Sequence, residues 1–237
     1  MSDLTWPIVA ILACVSYLWG SVSPARVIGA RVLPGQRLDD TKVVLPNSGK
    51  AEIRYRGVSA TSLGAKLGPK WGMLIGVLDM LKAVVPMLLV HLLWPGRELP
   101  LLVAAFVMLG HNWPLFHGFH GGRGQSVLIG ALLFIDPLSV VICFPVGVAV
   151  GLLVLRDMFV AYTLGQYLLI AWFAFTGTPA ELLFAITVNL IYSIAAWPEA
   201  RDYLEARSKG HVGKIENFRD FFTAHPAMGE KRFDRDA

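Results

Sequence analysis

Long runs of apolar residues constrain this chain more than any other feature. Seven segments, residues 4–27, 71–94, 99–112, 125–135, 138–155, 158–175 and 180–196, are dominated by Leu, Val, Ile, Ala and Phe. A bilayer core of about 30 Å is crossed by roughly 20 apolar residues in an α-helix, which satisfies its backbone hydrogen bonds internally. Several of the segments approach that length. Composition agrees: 55% of the 237 residues are hydrophobic and 16% are charged, against about a quarter charged in an ordinary soluble domain. The chain is expected to be all-α, a polytopic integral membrane protein of about seven transmembrane helices. Residues 1–210 would form one membrane domain and residues 211–237 a cytoplasmic C-terminal tail.

Segments 99–112 and 125–135 are short for full spans, and Gly, His and Pro interrupt the sequence between them. Such backbone is tolerated at membrane depth where it lines a polar cavity, and a re-entrant arrangement also fits. Orientation follows from Lys and Arg, which concentrate in short cytoplasmic loops. Residues 25–70 and the stretch after Trp197 carry most of them, and Arg123 and Arg156 fall on the same side. Only Arg97 falls opposite, and Lys82 lies inside a span. Seven spans with the N-terminus out and the C-terminus in satisfy this pattern. Residues 1–5 hold Asp3 and no basic residue, so the first span lacks the basic flank of a secretory signal and is expected to be retained.

The basic excess, a net charge of +4, sits at membrane boundaries, where topology and anionic headgroups explain it. No nucleic-acid-binding module is recognisable, so no nucleic-acid partner is expected. Cys14 and Cys143 lie in apolar runs and read as small hydrophobes. Within the cytoplasmic loop of residues 36–70, the stretches 41–45 and 51–56 flank a turn-rich segment and suggest a β-hairpin. The tail, with Phe218, Phe221, Phe222 and Phe233 among charges, suggests a surface helix followed by a loose end.

One loop carries the chemistry: Leu109-Gly-His-Asn-Trp-Pro-Leu-Phe-His-Gly-Phe-His-Gly-Gly-Arg-Gly-Gln-Ser126, leading directly into an apolar helix. Gly121, Gly122 and Gly124 let the backbone turn and aim N–H groups at one anion, and the following helix start, at Gln125 and Ser126, adds its positive dipole end. Arg123 supplies full charge and a fork that matches phosphate oxygens. His111, His117 and His120 lie nearby, but no carboxylate or cysteine completes a metal-ligand set, so no metal is expected. Lys82, midway along a span, needs a partner or a polar cavity, and Asp79 lies on the same helical face three residues earlier. An ion pair serving only packing and a charge supporting a substrate cavity both fit. Ser21 and Ser23, in Gly20-Ser-Val-Ser-Pro-Ala25, offer hydroxyls near the same boundary, as well as a small-residue packing patch.

Together, Gly20-Ser-Val-Ser-Pro-Ala25, Val77-Leu-Asp-Met-Leu-Lys82 and Gly110-His-Asn-Trp-Pro-Leu-Phe-His-Gly-Phe-His-Gly-Gly-Arg-Gly124 resemble, in order and spacing, the bacterial acyl-phosphate:glycerol-3-phosphate acyltransferases, the PlsY family. The resemblance runs from the first span through the fourth. It implies a seven-helix enzyme of the bacterial inner membrane that acts in phospholipid synthesis. Such an enzyme transfers a fatty acyl group from acyl phosphate to glycerol 3-phosphate, giving lysophosphatidic acid and phosphate, without cofactor or metal. It also implies Arg123 and Lys82 as catalytic candidates. Gly121, Gly122, Gly124, Gln125, Ser126, Ser21, Ser23, Ser62, Lys66, His111 and Asn112 become substrate- or phosphate-binding candidates. An acyl phosphate is already an activated anhydride, so positioning and charge neutralisation would dominate the chemistry.

The chain departs from the family pattern at several points. Tyr55-Arg-Gly-Val-Ser-Ala-Thr-Ser-Leu-Gly-Ala-Lys66 replaces an asparagine-containing loop, with Ser62 for a threonine and Lys66 for an arginine. Arg123 stands for a lysine, Gln125-Ser126 for a Val-Ala pair and Val127 for a threonine, and Ile194-Ala-Ala-Trp-Pro-Glu199 for an Arg-His-x-x-Asn segment. Two alternatives therefore accompany the enzyme: an acyltransferase with another acceptor, and a non-catalytic relative that binds an anionic lipid or regulates lipid synthesis. A transporter finds no support, since no internal repeat is visible.

Overall fold

The computed structural model describes residues 6–36, 38–39, 41–44, 52–55, 57–96 and 98–212. The expected surface helix of the tail lies almost wholly outside the described residues. Helix α1 (Trp6–Gly20) breaks where Ser23 takes an extended backbone (φ −109°, ψ 103°) and accepts from Arg26 N as the cap of α2 (Pro24–Val32). Proline after Ser23 disfavours the helical conformation there and is itself well placed in a first helical turn. The single first segment expected over 4–27 is thus two helices. The break leaves the Gly20 and Val22 carbonyls outside regular helix, and both accept from Lys82, as described below.

The hairpin forms as expected: β1 (Thr41–Val44) pairs antiparallel with β2 (Glu52–Tyr55), Thr41 opposite Tyr55 and Val44 opposite Glu52. Helix α3 (Ala60–Leu67) was not anticipated. A reciprocal cap starts it, Ser59 N donating to Ser62 Oγ at 2.8 Å and Ser62 N to Ser59 Oγ at 3.3 Å.

The membrane domain continues with α4 (Pro69–Leu93), α5 (Leu99–Asn112), α6 (Gln125–Ile135), α7 (Pro137–Ala149), α8 (Met158–Thr176) and α9 (Pro179–Ser208). Among the described residues, six helical stretches are long and apolar enough to cross a bilayer: Trp6–Val32, Pro69–Leu93, Leu99–His117, Pro137–Val154, Met158–Thr176 and Pro179–Ser208. The seventh expected segment, α6, has 11 residues, a rise of only about 16 Å. A π-helical turn, Val150–Val154, extends α7 over the rest of its expected length. Helix α9 runs past the expected end at residue 196 to Ser208, with Pro198 inside it. Its extension is anchored to the start of α8 by the Arg207–Asp157 ion pair and by Tyr203 stacked on Phe159 at 5.0 Å.

Apolar side chains are partitioned by environment. Met87, Val107, Met108, Leu128, Leu132, Leu169, Phe173 and Tyr192 fill the interior between helices. Leu89, Leu92, Val141, Leu153, Phe175 and Leu190 lie on the outside. So extensive an apolar exterior suits lipid, not water. Small residues allow a close helix contact: a β-carbon on Gly110 of α5 would overlap the Tyr17 carbonyl of α1, and one on Gly20 would overlap Val107. Backbone-to-backbone approach of this kind is how membrane helices gain packing without a hydrophobic driving force. It sets the ends of α1 and α5 side by side, at the same boundary as the glycine loop.

Candidate active site

The glycine loop emerges from α5 through a 3-10 turn, Leu115–His117, and closes back on the helix it left. Gly122 N donates to the His111 carbonyl at 3.2 Å, and a β-carbon at Gly122 would overlap the His111 ring at Nε2. Only a residue without a side chain fits between the loop and that imidazole. Gly124 has φ +78°, a left-handed conformation, and serves as the N-cap of α6 with no side-chain cap bond. The first-turn amides of α6 are thus directed at the loop with no side chain to cap them.

The loop, the segment between β2 and α3, and α9 together border a cavity of about 250 Å³ lined by Gly57, Ser59, Asn112, Trp113, Phe119, His120, Gly121, Gly122, Arg123, Ile194, Ala195, Pro198 and Glu199. Asn112 is 3% exposed, and neither Oδ1 nor Nδ2 has a hydrogen-bond partner. A buried amide left unsatisfied costs about 1–3 kcal/mol. Its place on the wall of a polar cavity gives that cost a use, because a bound ligand can restore the missing bonds. In α9, Pro198 has no N–H to give the Ile194 carbonyl, and both residues border the cavity.

Behind the loop lies a buried charged cluster. Lys82 Nζ donates to Gly20 O and Val22 O and meets His111 Nδ1, each at 3.0 Å, and lies 3.3 Å from Asp79 Oδ1. His111 Nδ1 is 3.4 Å from the same oxygen. Lys82 and Asp79 are 5% and 2% exposed, so neither charge is left to lipid. The Trp19 indole N–H donates to the Lys82 carbonyl at 2.9 Å, fixing α1 against α4.

The structure brings Gly121, Gly122, Arg123 and Asn112 onto one cavity, with Gly124, Gln125 and Ser126 at the helix start beside it. Gln125 Nε2 donates to the Tyr162 carbonyl at 3.0 Å, tying α6 to α8. Ser21 Oγ accepts from Leu115 N at 3.2 Å, a bond that steadies the loop's entrance. Ser23 and Ser62 act in helix caps and Lys66 Nζ donates to the Leu38 carbonyl at 3.4 Å, and none of the three borders the cavity. Gly57, Ser59 and Glu199 were not singled out as site residues, although the stretches that carry them, 55–66 and 194–199, stand where the family pattern has its own loop and Arg-His segment. Arg26 was also missed: its Nη2 donates to the His120 carbonyl at 2.9 Å and holds the loop down from α2.

Comparison with known proteins places the chain in a family. A family model described as glycerol-3-phosphate acyltransferase matches residues 10–205. Glycerol-3-phosphate acyltransferase 1 of Oceanobacillus iheyensis is 27% identical over 199 residues, covering 77% of this chain and 86% of that one. Glycerol-3-phosphate acyltransferase 2 of Moorella thermoacetica is 36% identical over 139 residues, 57% of this chain and 63% of that one. The crystal structure of PlsY, an integral membrane glycerol 3-phosphate acyltransferase in its glycerol 3-phosphate form, superposes with a TM-score of 0.66 at 22% identity, covering 90% of this chain and 98% of that one. At that identity the superposition speaks for the shared fold, and the family model, spanning most of the chain, speaks for descent. The chain is a member of the glycerol-3-phosphate acyltransferase family.

Proposed function

We propose that this protein transfers a fatty acyl group from acyl phosphate to glycerol 3-phosphate, with the cavity under the glycine loop as the reaction site. Both substrates carry phosphate. The observation that carries the proposal is the convergence on one cavity of Arg123, the Gly121–Gly122 backbone and an Asn112 amide with no partner at either polar atom. In the reaction the acceptor hydroxyl oxygen forms an ester bond to the acyl carbon while the bond from that carbon to the phosphate oxygen breaks. Phosphate leaves with that bond's electron pair and carries away the hydroxyl proton. Arg123 and the amides at the start of α6 neutralise the charge that gathers on the departing phosphate. The anhydride supplies the activation, so the protein need only hold two anions in line and desolvate them.

The placement of basic residues supports an N-terminus outside and a cytoplasmic cavity, facing the compartment where these substrates would be encountered.

Purified protein supplied with palmitoyl phosphate and glycerol 3-phosphate is expected to release phosphate and form lysophosphatidate in equal amounts. Neither product would reject the enzymatic reading in favour of an anionic-lipid-binding relative. A second acceptor is favoured by one observation: Ile194, Ala195, Pro198 and Glu199 make part of the cavity wall apolar and acidic. Phosphate release that requires another alcohol would establish that variant.

A further inference from the structure

Among the described residues only Phe119 (φ +62°) and Arg156 (φ +51°) hold a left-handed backbone without being glycine. For a bulky side chain that conformation is a genuine outlier, because its β-carbon crowds the carbonyl that follows. At Phe119 the loop enforces it. Phe119 N and His117 N both donate to the Pro114 carbonyl, at 3.0 and 3.1 Å, and His120 N donates to the His117 carbonyl at 3.2 Å. Arg26 Nη2 fastens the next carbonyl, that of His120, at 2.9 Å. Gly118, also left-handed at φ +60°, is the residue type such a turn favours. A second glycine there would make the turn without strain, yet the chain carries a phenylalanine.

Packing does not account for the ring. It is 53% exposed and outside the buried interior, so little apolar burial offsets the strain. The ring does border the cavity, two positions before the Gly121–Arg123 stretch that borders it too. Backbone strain of this kind persists where the surrounding structure holds a side chain in one place for binding or chemistry. Of the two substrates only acyl phosphate has an apolar part, and its acyl carbon is one bond from a phosphate oxygen. A ring on the cavity wall next to the phosphate-binding stretch therefore faces the start of that chain.

We infer that Phe119 is a specificity-determining residue: the loop holds its ring against the first carbons of the acyl chain, where it selects the donor and keeps water from the anhydride. The inference rests on the proposed function. Water attacking the acyl carbon breaks the same bond to the phosphate oxygen and gives fatty acid and hydrogen phosphate, so the donor is lost without transfer. With the ring covering the acyl carbon, the acceptor hydroxyl is the oxygen that reaches it.

The test gives the full chain, in lipid nanodiscs, palmitoyl phosphate and glycerol 3-phosphate, and measures phosphate, palmitate and lysophosphatidate together. Phe119→Gly removes ring and strain, Phe119→Ala removes the ring alone, and Phe119→Leu keeps an apolar group. In the Gly and Ala variants KM for palmitoyl phosphate is expected to rise about fivefold or more while KM for glycerol 3-phosphate stays within about twofold, with palmitate replacing part of the lysophosphatidate. Phe119→Leu should keep most of the wild-type behaviour. The thermal midpoint of Phe119→Gly is expected about 2–4 °C above that of Phe119→Ala and no lower than that of the wild type. Phe116→Ala is the control for an aromatic that only meets the membrane interface, since Phe116 is 59% exposed on the same loop and does not border the cavity.

Wild-type KM values and product ratio in Phe119→Gly would overturn the inference. So would an equal rise in both KM values with a lowered midpoint, which marks a ring that only shapes the loop, or the same palmitate release from Phe116→Ala. A midpoint for Phe119→Gly at or below that of Phe119→Ala would remove the strain on which the inference is built. A wild-type protein that makes no product from palmitoyl phosphate rejects the proposed function and this inference with it, whereas wild-type turnover with unchanged variants rejects this inference alone.

Discussion

Two residues carry opposite expectations that separate binding from stability. Arg123 brings the charge and fork of a guanidinium to the cavity, and losing a charge-assisted bond costs about 1.5–3 kcal/mol. Arg123→Ala is expected to raise KM for acyl phosphate about ten- to a hundredfold with a small change in thermal midpoint, and steady-state kinetics beside a melting curve will show it. Arg123→Lys keeps the charge and loses the fork, so it should fall between the two. Asn112 behaves differently, because its amide is unsatisfied in the empty protein. Asn112→Leu is expected to hold or raise the melting temperature while substrate turnover falls, since it removes buried polar atoms that only a ligand can satisfy. An Asn112 that served packing alone would give a lower midpoint and unchanged turnover. Arg123 and the glycines were legible in the sequence because their chemistry is local to one loop. Asn112 was legible as a member of that loop, but its missing partners were not, because satisfaction depends on everything folded around it.

At the scale of elements, helix ends do most of the positioning. The α1–α2 break supplies two carbonyls to Lys82, and α6 begins after the N-cap Gly124 with no side-chain cap for its first-turn amides. The approach of α5 to α1 depends on Gly110, whose neighbours would be the Tyr17 carbonyl and, at 2.9 Å, Ser21 N. Gly110→Val is expected to force the pair apart at a cost of about 1–3 kcal/mol. Lower thermal stability and lost activity should appear together, because the displaced segment carries His111 and Asn112. Gly35→Ala, in a turn with nothing within 4 Å of its β-position but with φ +77°, makes a useful contrast. Its cost should be the backbone strain of about 1 kcal/mol without loss of the site. The hairpin was readable from alternation around a turn. Helix α3 was not, since eight residues held by a serine cap leave too short a periodic pattern to register.

For the molecule as a whole, the predicted orientation is open to a direct measurement. With Cys14 and Cys143 replaced by serine, single cysteines at Gly96 and Ser208 are expected to react with a membrane-impermeant maleimide from opposite sides, Gly96 from outside and Ser208 only after the membrane is opened. Labelling of both from one side would break the seven-span alternation. Apolar run length determined, by itself, that this chain is a helical membrane protein, and the placement of Lys and Arg set the expectation that its basic loops share one face, because the bilayer imposes length and charge rules on each segment separately. The loop's glycines and Arg123 likewise set the expectation of an anion site, because backbone freedom and charge are properties of a short stretch. Only the tertiary structure decided that Glu199, Ile194 and Gly57 share a cavity with that loop, and that Lys82 Nζ lies 3.0 Å from two carbonyls and a histidine ring nitrogen. Those relations join residues tens of positions apart, and they exist only once helices pack closely enough for buried polar groups to find, or lack, a partner.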